Sequence, residues 1–193
     1  MAHGLNTAPQ FVMAKTRTKT DGWPVYHSGG GSNYQFFINQ TDAGASGTSY
    51  FVGAPTSSVV NLGNNTGSNQ SGQPCLLYCF SPIEGYSSMG SYLGNGNADG
   101  PFVFTGMRPA FILTKGIDDA EDWYIRDTSR SPSNEVNASL RPNDTGSEYS
   151  GRKIDILSNG FKIRDSDGQI NQSGKSYLYV AFAEHPFQSS RAR

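Results

Sequence analysis

The sequence has little charge of either sign. Only 16% of its 193 residues are charged, and 15 basic against 16 acidic side chains leave a net charge of −1 and a pI of about 6.3. Such a chain has no general positive field that would attract nucleic acid or an anionic membrane surface. We therefore expect no nucleic-acid partner.

Charge is scarcest in the first half of the chain. Residues 1–99 carry only seven of the charged side chains: Lys15, Arg17, Lys19, Asp21, Asp42, Glu84 and Asp99. A neutral surface rich in Gly, Ser, Asn and Thr is compatible with an interface inside a larger assembly or with sugar contacts. It is equally compatible with ordinary polar loops, so composition leaves these alternatives open.

Long apolar runs are also missing. No stretch reaches the roughly 18 residues that a membrane-spanning helix needs, and the N-terminus lacks the basic-then-apolar layout of a signal peptide. We expect no membrane insertion, no signal peptide and no export of the chain by itself.

Residues that bind metals or form disulfides are few. The two cysteines, Cys75 and Cys79, lie four apart in an apolar segment. On a strand they share one face about 13 Å apart, too far for a disulfide with each other. The three histidines form no spaced metal motif. We predict buried thiols, no metal site and no cofactor.

The residues that are plentiful favour short strands. Glycine (23), proline (10) and a combined 21 Phe and Tyr suit strands joined by turns, and no segment has convincing helical periodicity. We predict an all-β protein with strands at 11–15, 23–27, 34–39, 49–52, 58–62, 74–80, 90–94, 102–104, 110–115, 123–127, 136–140, 153–157, 161–164 and 176–183.

The sequence repeats itself at an offset of about 100 residues. Residues 8–15 (APQFVMAK) match 108–115 (RPAFILTK), and Trp23 lies over Trp123. Residues 69–72 then match 171–174, and 77–80 match 179–182, where the offset is 102. Four blocks in one order indicate a tandem duplication. We predict two sandwich-like (jelly-roll or concanavalin-like) units of about 95 residues, at 1–86 and 87–193.

The duplication predicts an open sheet edge in the first unit. The second unit begins with a strand at 90–94, whereas the first has no residues available for its counterpart. An uncovered edge exposes unpaired backbone groups. We expect it to be covered by a neighbouring chain, by residues 188–193 or by an upstream segment.

The likeness to a known family rests on four parts of the chain. These are residues 2–27 (AHGL, AP, K and WPVYH), 78–115 (YCF and EGYSSMGSYLGNGNADGPFVFTGMRPAFILTK), 155–164 (DILSNGFKIR) and 179–187 (YVAFAEHPF). With them the chain resembles a phage-encoded, β-rich virion module found in tail-fibre-like and virion surface proteins of marine and freshwater bacteriophages. The central stretch, 84–115, is the most specific part.

The resemblance implies a non-enzymatic structural protein on the virion surface, assembled in the host cytoplasm and acting in host attachment within a tail fibre. It implies other virion proteins and a host surface glycan as partners, and homo-oligomers such as trimers. It supplies no catalytic residue. A capsid decoration protein is the main alternative, and a polysaccharide depolymerase is a further one.

Two acidic segments are candidates for metal or catalytic chemistry. Asp165-Ser166-Asp167-Gly168 resembles the start of a calcium loop, but its twelfth position is Ser176 rather than a carboxylate. Residues 118–122 (DDAED) could supply paired carboxylates for glycoside cleavage. We interpret the first as a polar turn, with Asp165 and Asp167 as weak calcium candidates, and the second as a solvated loop.

Two pairs of equivalent residues are weak ligand-binding candidates. Trp23 and Trp123 could stack on sugar rings, although equivalent aromatics in duplicated units more often pack in a core. His27 lies over Asp127 at the end of the same strand, which indicates an exposed polar position. No serine-hydrolase motif accompanies them.

Overall fold

A computed structural model describes residues 1–186, and the regular secondary structure of this part of the chain is almost entirely β-strand. The prediction of an all-β, sandwich-like fold is confirmed. The strands are β1 (Phe11–Thr16), β2 (Pro24–His27), β3 (Tyr34–Phe37), β4 (Ala45–Ser46), β5 (Cys75–Phe80), β6 (Ser87–Leu93), β7 (Phe102–Phe104), β8 (Pro109–Gly116), β9 (Trp123–Asp127), β10 (Val136–Ser139), β11 (Tyr149–Leu157), β12 (Gly160–Ile163) and β13 (Ser176–Ala183). A 3-10 turn at Ser28–Gly30 and the short helix α1 (Gly168–Asn171) complete the elements.

The strands form three antiparallel sheets. Sheet I has the order β4-β3-β2-β1-β5, sheet II the order β6-β13-β8-β9, and sheet III the order β10-β11-β12-β7. Sheet I comes from residues 11–80, and the other two come from residues 87–183. Residues 1–86 therefore supply a single sheet, and its sandwich partner comes from the second predicted unit.

Sheet II lies between the other two and is apolar on both faces, as expected of a central layer. One cluster joins Phe11 and Phe36 of sheet I to Trp123 and Val180 of sheet II. A second cluster joins sheet II to Ile154 and other side chains of sheet III. The outer face of sheet I is covered by a loop, residues 48–62, through Phe51 and Val60.

Sheets I and II share one pairing scheme. In sheet I, Phe11 pairs with His27 on one side and Phe80 on the other. In sheet II, Phe111 pairs with Asp127 and Phe182, at offsets of 100 and 102 from their counterparts. The same offsets hold along the strands. This shared register supports the duplication hypothesis, with β5-β1-β2 equivalent to β13-β8-β9.

Two of the predicted strands are wrong. Residues 49–52 and 58–62 form only isolated bridges, Phe51 with Leu62 and Val59 with Ala2. Their apolar side chains cover the outer face of sheet I, so burial without a neighbouring strand produced the same pattern. The two-residue strand β4 and helix α1 were not predicted.

Candidate functional site

Part of sheet I's inner face extends beyond sheet II. At one end, Phe80 packs against Phe182 of sheet II, with ring centroids 5.7 Å apart. Leu76 and Tyr78 lie on the same face of β5, because alternate residues of a strand point the same way. Each is nevertheless 42% exposed. Apolar side chains are thus left uncovered at this end of the sheet.

Trp23 completes this uncovered surface. Its ring stacks on that of Tyr78, with centroids 6.5 Å apart and planes 25° apart. The Nζ atom of Lys15 lies 6.0 Å from the Trp23 ring and donates to the backbone oxygens of Lys19 (2.6 Å) and Asp21 (2.8 Å). We call Lys15, Trp23, Leu76 and Tyr78 the aromatic face.

The aromatic face suits a ligand with flat apolar surfaces and a few polar groups. Indole and phenol rings pack against the C–H faces of sugars, and the phenol hydroxyl supplies a hydrogen-bonding group. Lys15 is held by backbone oxygens, so its charge sits at a fixed place beside Trp23. The sequence predicted Trp23 but missed Leu76 and Tyr78, whose exposure depends on where sheet II ends.

The edge of sheet I borders this face. Strand β5 pairs only with β1, and no other strand of residues 1–186 pairs with it. A groove of about 520 Å³ separates β5 from the N-terminal segment and is lined by Met1, Ala2, His3, Leu5 and residues 75–80. The expected open edge is therefore present in the described part of the chain, whereas residues 188–193, one expected cover, lie outside it.

Trp123 does not present a ring to solvent. It is 1% exposed and lies in the core between sheets I and II, where Nε1 donates to the Phe37 oxygen at 2.8 Å. Its backbone N–H donates to Asn143 Oδ1, as that of Trp23 donates to Asn39 Oδ1. The two tryptophans thus have equivalent backbone roles, but only Trp23 is accessible.

His27 and Asp127 both close the turn that follows their strand. His27 Nδ1 accepts from the Gly29 N–H, and Asp127 Oδ1 accepts from the Ser129 N–H. His27 is buried rather than exposed as predicted, and Nε2 lies 3.0 Å from the Tyr179 oxygen. Burial lowers the pKa of His27 to about 4, although the Tyr179 carbonyl opposes the shift. His27 is thus a neutral structural residue at pH 7.

Asp127 is a structural residue too. Partial burial raises its pKa, but the backbone N–H and guanidinium of Arg130 outweigh burial, so the pKa of Asp127 is lowered overall. Its Oδ2 atom accepts from Arg130 Nε at 2.7 Å. Neither residue lies in the aromatic face.

Asp165 and Asp167 organise a polar turn. Asp165 accepts the N–H of Asp167, while Asp167 accepts the N–H of Gln169 at the start of α1 and pairs with Arg152 at 3.3 Å. Their oxygens are thus directed to backbone and guanidinium donors. Within residues 1–186, no three His, Cys, Asp or Glu side chains are grouped so that they could hold a metal ion.

The acidic segment 118–122 is held by its neighbours. Asp118 accepts the Ser176 N–H, Asp119 pairs with Lys175, and Asp122 accepts from Asn143 and Arg141. Three of its acids thus serve as loop anchors, in keeping with the loop interpretation.

A buried lysine beside this segment was missed by sequence reasoning. Lys115 is buried, and its Nζ donates to the Thr41 oxygen at 3.2 Å. Burial lowers the pKa of Lys115 to about 8, and burial raises that of the nearby Glu121 to about 7. A lysine at the end of an apolar strand (FILTK) is the only signal the sequence offers. Lys15 is its counterpart beside Trp23.

The cysteines are free thiols, as predicted, but they are half-buried rather than fully buried. Both point to the outer face of sheet I with Leu77. Burial raises the pKa of each thiol.

Among the described residues, no helix is long and apolar enough to cross a membrane.

Comparison with known proteins gave one result. No curated protein and no solved structure matches the chain. A family model described as "Domain of unknown function (DUF7483)" matches residues 1–186. The match spans nearly the whole chain, so the protein belongs to the DUF7483 family.

Proposed function

We propose that the protein is a non-enzymatic structural component of a bacteriophage particle, exposed on its surface and acting in host attachment as part of a tail fibre or appendage. The resemblance of residues 2–27, 78–115, 155–164 and 179–187 to phage virion modules supports the virion assignment. Its partners are other virion proteins and a glycan on the host surface.

The observation that carries the attachment role is the aromatic face. Trp23 and Tyr78 remain accessible beside each other, whereas Phe11, Tyr26, Phe36 and Phe80 of sheet I pack in its apolar clusters. Stacked rings with a fixed lysine beside them suit recognition of a polysaccharide chain, because sugars offer apolar C–H faces and many hydroxyls. Sheet I lies behind the rings, and residues 48–62 cover its outer face.

Capsid decoration is the second candidate, and one observation favours it. Residues 43–83 contain no charged side chain, and they include the open edge β5. A neutral strand edge is suited to docking on another protein by backbone hydrogen bonds. A decoration protein would use this edge on the shell and would need no glycan.

Location on the particle distinguishes the two candidates. Gold-labelled antibody against the protein is applied to intact virions and viewed by electron microscopy. Label on fibres or at the tail tip supports attachment. Label spread over heads assigns the protein to the capsid, and virions without label contradict both.

Glycan binding is tested on the aromatic face itself. The purified protein is titrated with host surface polysaccharide, and Trp23→Ala is expected to weaken binding about tenfold, equivalent to ~1.4 kcal/mol. Phe104→Ala is the matched control, since Phe104 is 64% exposed on sheet III, away from this face. Equal binding by both variants would rule out the aromatic face as the glycan site.

A further inference from the structure

The open edge of β5 has a defined hydrogen-bonding pattern. The Arg17 N–H donates to the Pro74 oxygen, which fixes the alternation along the antiparallel β1–β5 pair. Pro74, Leu76, Tyr78 and Phe80 therefore direct their backbone groups to β1. Cys75, Leu77 and Cys79 direct theirs away from the sheet, where no strand of residues 1–186 receives them.

The equivalent edge in sheet II is paired. Strand β13 has the same place beside β8 as β5 has beside β1, and its outer side is paired with β6 along seven residues, Ser87–Leu93, in antiparallel sense. The edge of sheet I thus has the geometry of an inner strand without its neighbour. An antiparallel strand is the occupant that this geometry accepts.

The edge also lacks the features that keep strands apart. Natural edge strands are commonly protected by charges, bulges or proline within the strand. Strand β5 has none of these, because its six residues pair with β1 without a register shift and carry no charge. Strand β5 itself therefore brings no like charges together when two copies meet. The N-terminal ammonium of Met1 lies on the other side of the groove, where it donates to the Val60 oxygen at 2.7 Å.

The order of side chains along β5 is self-complementary. Around Leu77, the cysteines lie two positions away on either side, and the large apolar Leu76 and Tyr78 lie one position away. We propose that β5 pairs with β5 of a second copy of this chain, antiparallel, about a two-fold axis at Leu77. A two-fold axis places the same surface on both sides of the interface, as this order requires.

This pairing fixes every contact between the strands. Leu77 faces Leu77 of the second copy, and Cys75 faces Cys79 of the second copy, both as hydrogen-bonded pairs. Leu76 lies opposite Tyr78 of the second copy, and this pair is on the inner face of sheet I. The outward N–H and C=O groups of all three odd-numbered residues are satisfied, and sheet I becomes a continuous sheet of two copies. The aromatic faces of the two copies then adjoin across the axis.

The proposal rests on the strand edge and does not depend on glycan binding. Cross-linking by cysteine tests its register. Directly opposed residues in such a pair have Cα atoms about 5.5 Å apart, within the range that a disulfide accepts. The full chain is treated with a mild thiol oxidant at alkaline pH, because burial raises the pKa of both thiols. We expect a covalent dimer on non-reducing gels.

Single-cysteine variants make the test specific. Cys75→Ser alone and Cys79→Ser alone place serine opposite the remaining thiol, so neither cross-links. A one-to-one mixture of the two variants restores one Cys75–Cys79 pair and is expected to cross-link. Random collision would give dimers with each variant alone. The proposed register is wrong if either variant cross-links on its own. It is also wrong if the wild type does not cross-link.

Sedimentation measures the association without oxidation. Leu76→Lys combined with Tyr78→Lys places lysine opposite lysine and is expected to convert the dimer into a monomer. Leu76→Glu with Tyr78→Lys places opposite charges together and is expected to restore the dimer. Each of the two side chains is 42% exposed, so we expect the fold to be retained, which circular dichroism checks. A wild-type chain that sediments as a monomer overturns the proposal. The edge would then be uncovered, or covered by residues 187–193 or by a different protein.

Discussion

His27 makes the folded state sensitive to acid. Its two ring nitrogens serve a backbone donor, Gly29 N–H, and a backbone acceptor, the Tyr179 oxygen. Only a neutral ring with the proton on Nε2 satisfies both. Protonation would turn Nδ1 into a donor facing the Gly29 N–H and would bury a charge.

We predict an acid-dependent loss of stability from this residue. The pKa of His27 falls from about 6.5 to about 4 on folding. A lowered folded-state pKa contributes stability that is present above pH 6.5 and lost as pH falls through 4, here about 3 kcal/mol. Urea unfolding at pH 7 and pH 4 measures it in the wild type and in His27→Asn.

The variant is expected to start less stable at pH 7 and to lose about 3 kcal/mol less than the wild type on acidification. The asparagine side chain introduced by this substitution has an oxygen that can accept the Gly29 N–H but has no proton to gain in this range. His185→Asn is the control, since His185 is exposed. A His27→Asn profile parallel to that of the wild type would contradict the account.

Equivalent residues show what the repeat can and cannot predict. The proposed duplication aligns Trp23 with Trp123 and His27 with Asp127, and the registers of sheets I and II agree with that alignment. The alignment could not say which tryptophan sheet II covers or that His27 is buried. The repeat block 171–174 did not indicate that the Asn171 amide is buried, where it bonds to Asn95 and Asn97 in the loop between β6 and β7. Burial by a distant segment is not encoded in local pattern.

At the level of elements, Gly160 in the hairpin β11–β12 is explained by packing rather than by backbone conformation. The Asn159-Gly160 sequence predicts a turn with positive φ, yet neither residue has positive φ. Gly160 instead lies against β7, where an added Cβ would be 2.1 Å from the Val103 oxygen. The glycine thus permits the close approach of two strands of sheet III.

Gly160→Ala is therefore predicted to destabilise the protein by about 2–3 kcal/mol or more, because backbone rather than a flexible side chain must move. Thermal or urea unfolding measures the change. Gly168→Ala is the control, since the nearest atom to its added Cβ is the Gln172 side-chain oxygen at 3.4 Å. If both variants are equally stable, β7 does not pack on Gly160 as described.

Contacts between arginine and tyrosine side chains of sheets II and III could not be predicted from the sequence either. The guanidinium groups of Arg126 and Arg152 lie 5.2 and 5.1 Å from the Tyr124 ring, and that of Arg152 lies 4.4 Å from the Tyr149 ring. These residues come from strands of two different sheets. Strand positions were predicted well because period and composition are local, whereas the contacts between strands of different sheets are not.

At the scale of the whole molecule, the sequence predicted the class of fold but not the layering. Strands β8 and β13 are buried along most of their length, which a central sheet explains. The division at residue 86 follows the chain, since sheet I ends before it and sheet II begins after it. The core does not follow that division, because Phe11 and Phe36 pack with Trp123 and Val180. Sequence pattern alone could not show this shared core.

We predict from the shared core that the whole chain unfolds in one cooperative transition. Separation of sheet I from sheet II would expose the cluster containing Phe36 and Trp123, so the two predicted units depend on each other to bury these side chains. The two tryptophans report on different sheets. Trp123→Phe leaves Trp23 as a probe of sheet I, and Trp23→Phe leaves Trp123 as a probe of sheet II.

In each variant the fluorescence transition in urea is expected to coincide with the loss of β-structure followed by circular dichroism. The comparison is made within one variant, because Trp123→Phe also removes the hydrogen bond to the Phe37 oxygen and lowers the midpoint for both probes. A Trp23 signal that changes at lower urea than the circular dichroism signal would mean that sheet I unfolds on its own. The two units would then be independent domains, and the apolar contacts between sheets I and II would contribute little to stability.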